Sequence, residues 1–316
     1  MISAIVPALN EEKSIGEFYK RLSEVLQKLD KSYEIIFVDD GSTDGTLQIL
    51  KNLSSMDKNI HIFSFRKNQG KAEALTLGFQ KAKGDIIVTL DADLQDRPEE
   101  IHKLLEKYKK GIEVVCGWRK NRKDSLQKII SSKLFNKIMG VLWGVNLHDY
   151  NCGLKLYSSE AAKSLRLYGG MHRFIPLLVS EQGFIVDEVP IEHDMRKYGE
   201  SKYGFSKLWR DLPDMFTMLF LTRYGKRPLH FFGLFGAIFA LLGTGIMVFF
   251  WISHTFFHQS VGDRPLLFIG MICVIAGLQV TFTGFLADML INLFHKSQTP
   301  NGDFLQKHLL KFSNEK

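Results

Sequence analysis

Two stretches toward the C-terminal end carry no Asp, Glu, Lys or Arg: Leu229–Ile252 and Pro265–Ala287. Backbone amides in hydrocarbon must bond to one another, so an apolar run of this length is driven to form a helix. About 20 residues suffice to cross a bilayer. A buried core helix is the bland alternative. Flanking charge sets the expected orientation, because Lys and Arg collect on the cytoplasmic side. Arg223, Lys226 and Arg227 precede the first run, and Lys296, Lys307 and Lys311 follow the second. Only Arg264 lies between them. Both termini are therefore expected in the cytoplasm, with a short external loop at 253–264. Gly270, Gly277 and Gly284 are spaced by seven and form a small-residue face, for packing within the chain or between protomers.

The remainder is unlike these two runs. Charge is concentrated before residue 228, and the net charge of +7 fits nucleic acid, an anionic membrane surface or phosphorylated substrates. The three cysteines, Cys116, Cys152 and Cys273, form no CxxC pair and no Cys/His ligand spacing. A zinc site or disulfide framework is not expected. The chain opens on an apolar strand, Ile2–Val6, without the n-region or cleavage site of a signal peptide.

Strand and helix patterns alternate over 1–115. Ile2–Val6, Glu34–Val38, Ile60–Phe65 and Ile86–Leu90 are continuous apolar runs. Between them Ile15, Phe18, Tyr19, Leu22, Val25, Leu26 and Leu29 share one helical face, and further helices run to Leu53 and from Lys71 to Ala82. Such alternation predicts a mainly parallel sheet covered on both faces, with its chemistry at the carboxyl ends of the strands. Those ends carry Pro7–Glu11, Asp39–Asp44, Asn68–Lys71 and Asp91–Gln95. Asp91 and Asp93 point to one side of an extended stretch. Two such carboxylates repel unless a cation, a proton or strong donors offset them. Oxygen ligands suit Mg²⁺ or Mn²⁺, which keep waters and add substrate phosphate oxygens. A solvated acidic turn is the competing reading for an isolated DxD. Val6–Glu12 and Asp39–Gly45 each read equally as turns with helix caps.

Taken in order, strand–PxxNE, strand–DDGSTD and strand–DADLQD resemble the family 2 glycosyltransferases over roughly residues 1–200. The resemblance implies a single doubly wound α/β nucleotide-sugar-binding domain of the glycosyltransferase A type. Carried over residue by residue, Pro7, Leu9, Glu11, Val38 and Asp40 would hold the donor's base and ribose. Leu9 stands where the family often has an aromatic. Asp91, Ala92, Asp93 and Gln95 match the donor diphosphate and metal site, with Asp91, Asp93 and Gln95 as the metal set. Lys71 either approaches the donor or is a solvated residue at a helix start.

The second half carries Gly117–Asp124 and Arg196–Tyr203, which resemble the phosphate-gripping segments of polyprenyl-phosphate glycosyltransferases. Dolichol-phosphate mannose synthases, undecaprenyl-phosphate aminoarabinose transferases and two-span bactoprenol glucosyltransferases are the similar groups. The resemblance implies that Arg119, Arg122, Arg196, Ser201 and Lys202 grip the acceptor phosphate. Asp149, in Asp149–Gly153, stands at an acceptor-side motif, with a structural role as the alternative. Asp93, Asp149, Arg119, Arg196 and Lys202 form the expected catalytic set. His172 and Arg173, before Phe174-Ile175-Pro176, would either help bind acceptor or serve as a cap or surface.

The domains expected are 1–203 cytoplasmic glycosyltransferase, 204–228 amphipathic juxtamembrane segment, spans at 229–252 and 265–291, and a 292–316 cytoplasmic tail. Pro213 should kink or restart the amphipathic helix. The resemblance implies an enzyme of the bacterial inner membrane, inverting, that moves one sugar from UDP-glucose or a related UDP-sugar to undecaprenyl phosphate. It also implies a homo-oligomer, with a tetramer as one form. GDP-mannose as donor, a polysaccharide synthase and a non-catalytic sensor of nucleotide sugar or lipid are the rival readings. Nucleic-acid binding would explain the charge but neither the spans nor the carboxylates.

Overall fold

The computed structural model describes residues 1–29, 31–120, 126–194, 206–225, 227–258 and 264–298, with side chains omitted for 126–131, 206–212 and 294–298. The chain divides into two compact units, Met1–Met218 and Leu219–Lys316.

The first unit is one seven-stranded sheet between helices. Its strands are β1 (Ile2–Ala8), β2 (Tyr33–Asp39), β3 (Ile60–Ser64), β4 (Ile86–Thr89), β5 (Val114–Arg119), β6 (Lys155–Ser158) and β7 (Val186–Ile191), in the order β3-β2-β1-β4-β6-β5-β7. β1 pairs in parallel with β2 and β4, β2 with β3, and β5 with β7. β6 is antiparallel to both of its neighbours, β4 and β5. β5 therefore runs with β4, while β6 starts at the edge where the others end. That reversal brings the segment 149–153, which precedes a strand, beside segments that follow strands.

Alternation along each strand divides the core between the two faces. Ile35 and Phe37 of β2 join Phe18, Leu22 and Leu26 of α1 (Ile15–Lys28) on one face, with Leu50 of α2 (Thr46–Met56) and Leu104 of α4 (Ile101–Tyr108). Ile36 and Val38 face the other way, into a cluster with Leu75 and Phe79 of α3 (Lys71–Lys81) and Met139 of α5 (Leu126–Trp143). α6 (Ser159–Ser164) and α7 (Ile175–Glu181) complete that cluster, adding Ala161, Ala162, Leu177 and Val179. Met218, in α8 (Ser206–Leu219), is also buried there and Met215 packs against it, while Phe216 stays exposed. The amphipathic helix expected at the bilayer surface thus places part of its apolar side in the protein core. It also runs through Pro213 without restarting.

The second unit holds α9 (Pro228–Phe257) and α10 (Pro265–Gln298). Each has a mean hydropathy of 2.2 over its most apolar 18-residue window, and only 17% and 11% of those windows are buried. Long, apolar and largely unburied helices of this kind mark a membrane protein. The seven-residue glycine face lies between these two helices. A Cβ on Gly277 would come within 2.6 Å of the Gly236 carbonyl and of the Ala240 amide, and one on Gly270 within 3.2 Å of the Gly243 carbonyl. The glycines are occupied within the chain.

Candidate active site

The loops after β1 and β2 interlock. Asn10 adopts a left-handed φ of 58°, its N–H donates to Ser42 Oγ (3.0 Å), and its Oδ1 accepts from the Thr43 N–H (2.8 Å). Glu11 accepts from Ser14 Oγ at 2.5 Å. Pro7 and Leu9 are half-buried, whereas Val38 is fully buried in the core, which commits its side chain to packing. Asp40 accepts from the backbone N–H groups of Gln69 (2.7 Å) and Gly70 (3.0 Å). Gly70 takes φ +112°, open to glycine and strained for other residues, and so turns both amides onto this carboxylate. Burial outweighs the two amides and raises the Asp40 pKa.

β4 ends at the carboxylate run. Leu94 holds a left-handed φ of 62° while its side chain is buried in the core, so packing maintains a strained turn between Asp93 and Asp96. Asp91 accepts from Lys71 Nζ at 2.5 Å. Burial pushes the Asp91 carboxyl up, but the charges of Lys71 and Lys155 more than reverse this and hold it below its ordinary value. Burial likewise disfavours the Lys71 ammonium, and Asp91, Asp96 and Asp93 together raise its pKa. Lys71 is therefore part of the carboxylate site. Asp93 Oδ1 accepts from the Gln95 N–H (3.2 Å). Asp96 is the carboxylate that sequence reasoning passed over. Burial, then the neighbouring Asp91, push it up to about 7, and its Oδ2 is buried without a partner. A Cβ on Gly153 would lie 2.4 Å from that oxygen and 2.7 Å from Asp91 Oδ2. Only glycine fits between the two acids.

On the other side of Gly153, Arg119 forms a two-pronged ion pair with Asp149, at 2.6 and 3.0 Å. Both side chains are largely buried, and although burial opposes the guanidinium, Asp149 raises its pKa overall. Trp118 stacks on His148, with ring centroids 4.1 Å apart. Lys155 is buried and donates to the Cys152 carbonyl. Burial raises the thiol pKa of Cys152 well above its ordinary value and that of Cys116 to about 12, which leaves both thiols protonated and inert. Arg122, Arg196, Ser201 and Lys202 lie outside the described residues. The chain leading to 196–202 is nonetheless tied to the carboxylate loop. The Asp194 N–H donates to the Gln95 carbonyl (3.0 Å), and Arg97 grips Asp194 through two bonds of 2.6 and 2.8 Å.

A 3₁₀ turn, Gly169–Arg173, closes over α3, with the Gly169 N–H donating to Glu73 Oε1 (3.0 Å). It brings His172 into the electrostatic reach of Lys71 and Asp91. Burial, then the Lys71 and Arg173 charges, push His172 down to about 3. Among the described residues, its Nδ1 and the Oε2 of Glu73 are both buried without partners.

Residues 3–166 match the family described as Glycosyl transferase family 2. The chain is a family 2 glycosyltransferase. Two relatives cover almost all of this enzyme. The dodecaprenyl-phosphate galacturonate synthase of Rhizobium johnstonii is 35% identical, over 95% of this chain and 90% of that protein. The undecaprenyl-phosphate 4-deoxy-4-formamido-L-arabinose transferase of Edwardsiella ictaluri is 31% identical, over 96% and 93%. Among solved structures, glucosyl-3-phosphoglycerate synthase from Mycobacterium tuberculosis, in complex with Mn²⁺ and uridine-diphosphate-glucose, shares the fold. Its TM-score is 0.52 at 22% identity, over 70% of this chain and 78% of that one.

The residues present fit a hard divalent cation completed by substrate. Asp91 and Asp93 offer oxygen donors at one strand end, and Asp96 Oδ2 is unpartnered close by. Among the described residues no group of three His, Cys, Asp or Glu converges to hold a metal unaided. A hard divalent cation takes its further oxygen ligands from water and substrate phosphate.

Proposed function

We propose that this glycosyltransferase moves a single sugar from a UDP-sugar to polyprenyl phosphate, inverting the anomeric centre. The observation that carries the reading is that both near-full-length relatives are named for polyprenyl-phosphate products. The geometry supports it. From β2 through β1 to β4 and β5, one sheet edge presents Asp40, the Asp91–Lys71 pair, and then Arg119–Asp149. Nucleoside, diphosphate and acceptor would lie along that edge in this order.

Pro7, Leu9, Glu11 and Asp40 would surround the nucleoside, while Asp91, Asp93 and Gln95 would hold Mg²⁺ or Mn²⁺ with the diphosphate. The bound cation would offset charge developing on the leaving group. Lys71 neutralises Asp91 and adds positive charge beside the diphosphate. A lipid phosphate is already anionic, so its oxygen attacks the anomeric carbon directly. The bond from that carbon to the β-phosphate oxygen breaks, and UDP leaves with the electron pair. Asp149, fixed by Arg119, orients the acceptor side, and Arg122, Arg196, Ser201 and Lys202 grip the acceptor phosphate. The enzyme sits in the inner membrane with α9 and α10 crossing it, and the active site and both termini face the cytoplasm. Galacturonate, named for one relative, and 4-deoxy-4-formamido-L-arabinose, named for the other, join glucose in the donor panel, each as its UDP derivative.

The test uses purified full-length protein in detergent with undecaprenyl phosphate, Mg²⁺ and a panel of nucleotide sugars including GDP-mannose, with lipid products weighed by mass spectrometry. A lipid heavier by one sugar from a UDP donor, lost in Asp93→Asn, is the expected result. Nucleotide release without glycolipid would refute the acceptor assignment, and product from GDP-mannose alone would refute the donor assignment.

A further inference from the structure

Besides Asp96 Oδ2, two buried polar atoms near the carboxylate site have no partner among the described residues, and both belong to the bridge between α3 and the 3₁₀ turn Gly169–Arg173. They are Glu73 Oε2 and His172 Nδ1. The bridge is built from both sides. Glu73 Oε1 accepts from the Gly169 N–H at 3.0 Å, and one helical turn on, Thr76 Oγ1 accepts from the Leu167 N–H (2.9 Å) and donates to the Leu167 carbonyl (3.0 Å). Met171 and Phe174, on either side of His172 and Arg173, are buried in the core. The turn is therefore pinned at 167, 169, 171 and 174, and the imidazole is held in place.

Leaving a buried polar atom unbonded carries the full desolvation cost of that atom. Two such atoms on one pinned bridge, next to Lys71 and Asp91, are what a site looks like when its hydrogen-bond partners arrive with the ligand. The diphosphate belongs to Asp91 and Lys71, and the nucleoside to the Asp40 side. What remains for the bridge is the donor's sugar ring, whose hydroxyls flank the reacting carbon.

We propose that His172 is a specificity-determining residue that hydrogen-bonds one hydroxyl of the donor sugar, with Glu73 as the positioning residue that sets the turn. The proposal rests on the donor reading above. Neutral imidazole suits this task, because burial and the adjacent Lys71 ammonium keep the ring uncharged across the physiological range. A neutral ring also adds no positive charge that would tie the sugar contact to the diphosphate contact. Selectivity then lies on a segment that follows β6, far in sequence from the carboxylate run.

The experiment uses the full-length protein in detergent with undecaprenyl phosphate. The best UDP-sugar from the panel is compared with its monodeoxy analogues, in the wild type, His172→Ala, His172→Gln and Glu73→Gln. UDP affinity is measured by calorimetry on each. His172→Ala is expected to lower kcat/KM for the parent donor by about tenfold or more, since a site made to bond a hydroxyl discriminates strongly against its loss. For one deoxy analogue the variant and the wild type should differ by less than about twofold, because the lost hydroxyl and the lost ring are the same interaction. UDP affinity should be unchanged, and His172→Gln should recover part of the activity. Glu73→Gln, which keeps an acceptor for Gly169, should lose less activity than His172→Ala. An equal loss on every analogue, no loss on the parent donor, or weakened UDP binding would each overturn the assignment. A wild type that transfers no sugar from any donor would bring down the donor reading and this inference with it.

Discussion

Removing the Arg119 guanidinium isolates what the pair with Asp149 contributes. The Asp149 side chain is 2% exposed and that of Arg119 12%, so water cannot take over the role of a missing partner. Breaking a buried ion pair from one side costs about 3–5 kcal/mol, because the buried carboxylate loses a two-pronged cationic partner. For a unit the size of Met1–Met218, each kcal/mol moves the unfolding midpoint by about 2–4 °C. Arg119→Met should thus lower the midpoint by about 6–20 °C. Asp149→Asn should cost less, about 1–3 kcal/mol, because an amide oxygen still accepts from the guanidinium. In Arg119→Met/Asp149→Leu both members of the pair are gone, and much of the loss should return. Cys116 and Cys152 are buried in the first unit, so in a Cys273→Ser background a thiol-reactive dye reports its unfolding. Transfer activity is read on the same samples. Recovery of the midpoint without recovery of transfer would assign the pair a catalytic role as well as a structural one. A shift below about 2 °C in Arg119→Met, or strictly additive losses in the double variant, would refute the reasoning.

Three further outcomes are expected. Gly153→Ala puts a methyl group 2.4 Å from Asp96 Oδ2 and 2.7 Å from Asp91 Oδ2, so the acids must move. A shift approaching 1 Å costs about a hundredfold in turnover, so kcat should fall by about that factor, with a stability loss of about 1–3 kcal/mol. Because the folded His172 pKa, about 3, lies below its ordinary 6.5, the unfolded chain binds the extra proton between those values. This group's stability is full above pH 6.5 and is lost as pH falls toward 3, so from pH 7 to 5 the midpoint of His172→Gln should drop less than that of the wild type. Gly277→Leu drives a side chain into the Gly236 carbonyl and the Ala240 amide. It should part α9 from α10, read as loss of a disulfide placed across them by paired cysteine substitutions.

Much of the site was legible before any coordinates. Apolar runs ending in Asp40 and in Asp91–Asp93 are local patterns, and a parallel sheet places such ends on one edge whatever the details of packing. Lys71 was ambiguous, because a lysine at a helix start is usually solvated, and only the distance to Asp91 resolves it. Asp96 stood in plain view within Asp91–Asp96, but its burial depends on a left-handed turn at Leu94 that no propensity foretells. Arg119 read as one more phosphate-gripping cation in a basic run. Its engagement with Asp149 spans 30 residues of sequence and was invisible there.

The residue order alone determined the strand–helix alternation, the acidic strand ends and the two apolar helices, since each follows from periodicity or charge within a short window. Tertiary structure decided the rest. β6 runs antiparallel between β4 and β5, which delivers Asp149 and Gly153 to the carboxylate edge. The 3₁₀ turn folds back over α3 and brings His172 to Lys71. Strand direction and long-range docking depend on how whole faces pack, and that information is distributed over the chain and absent from any one segment of it.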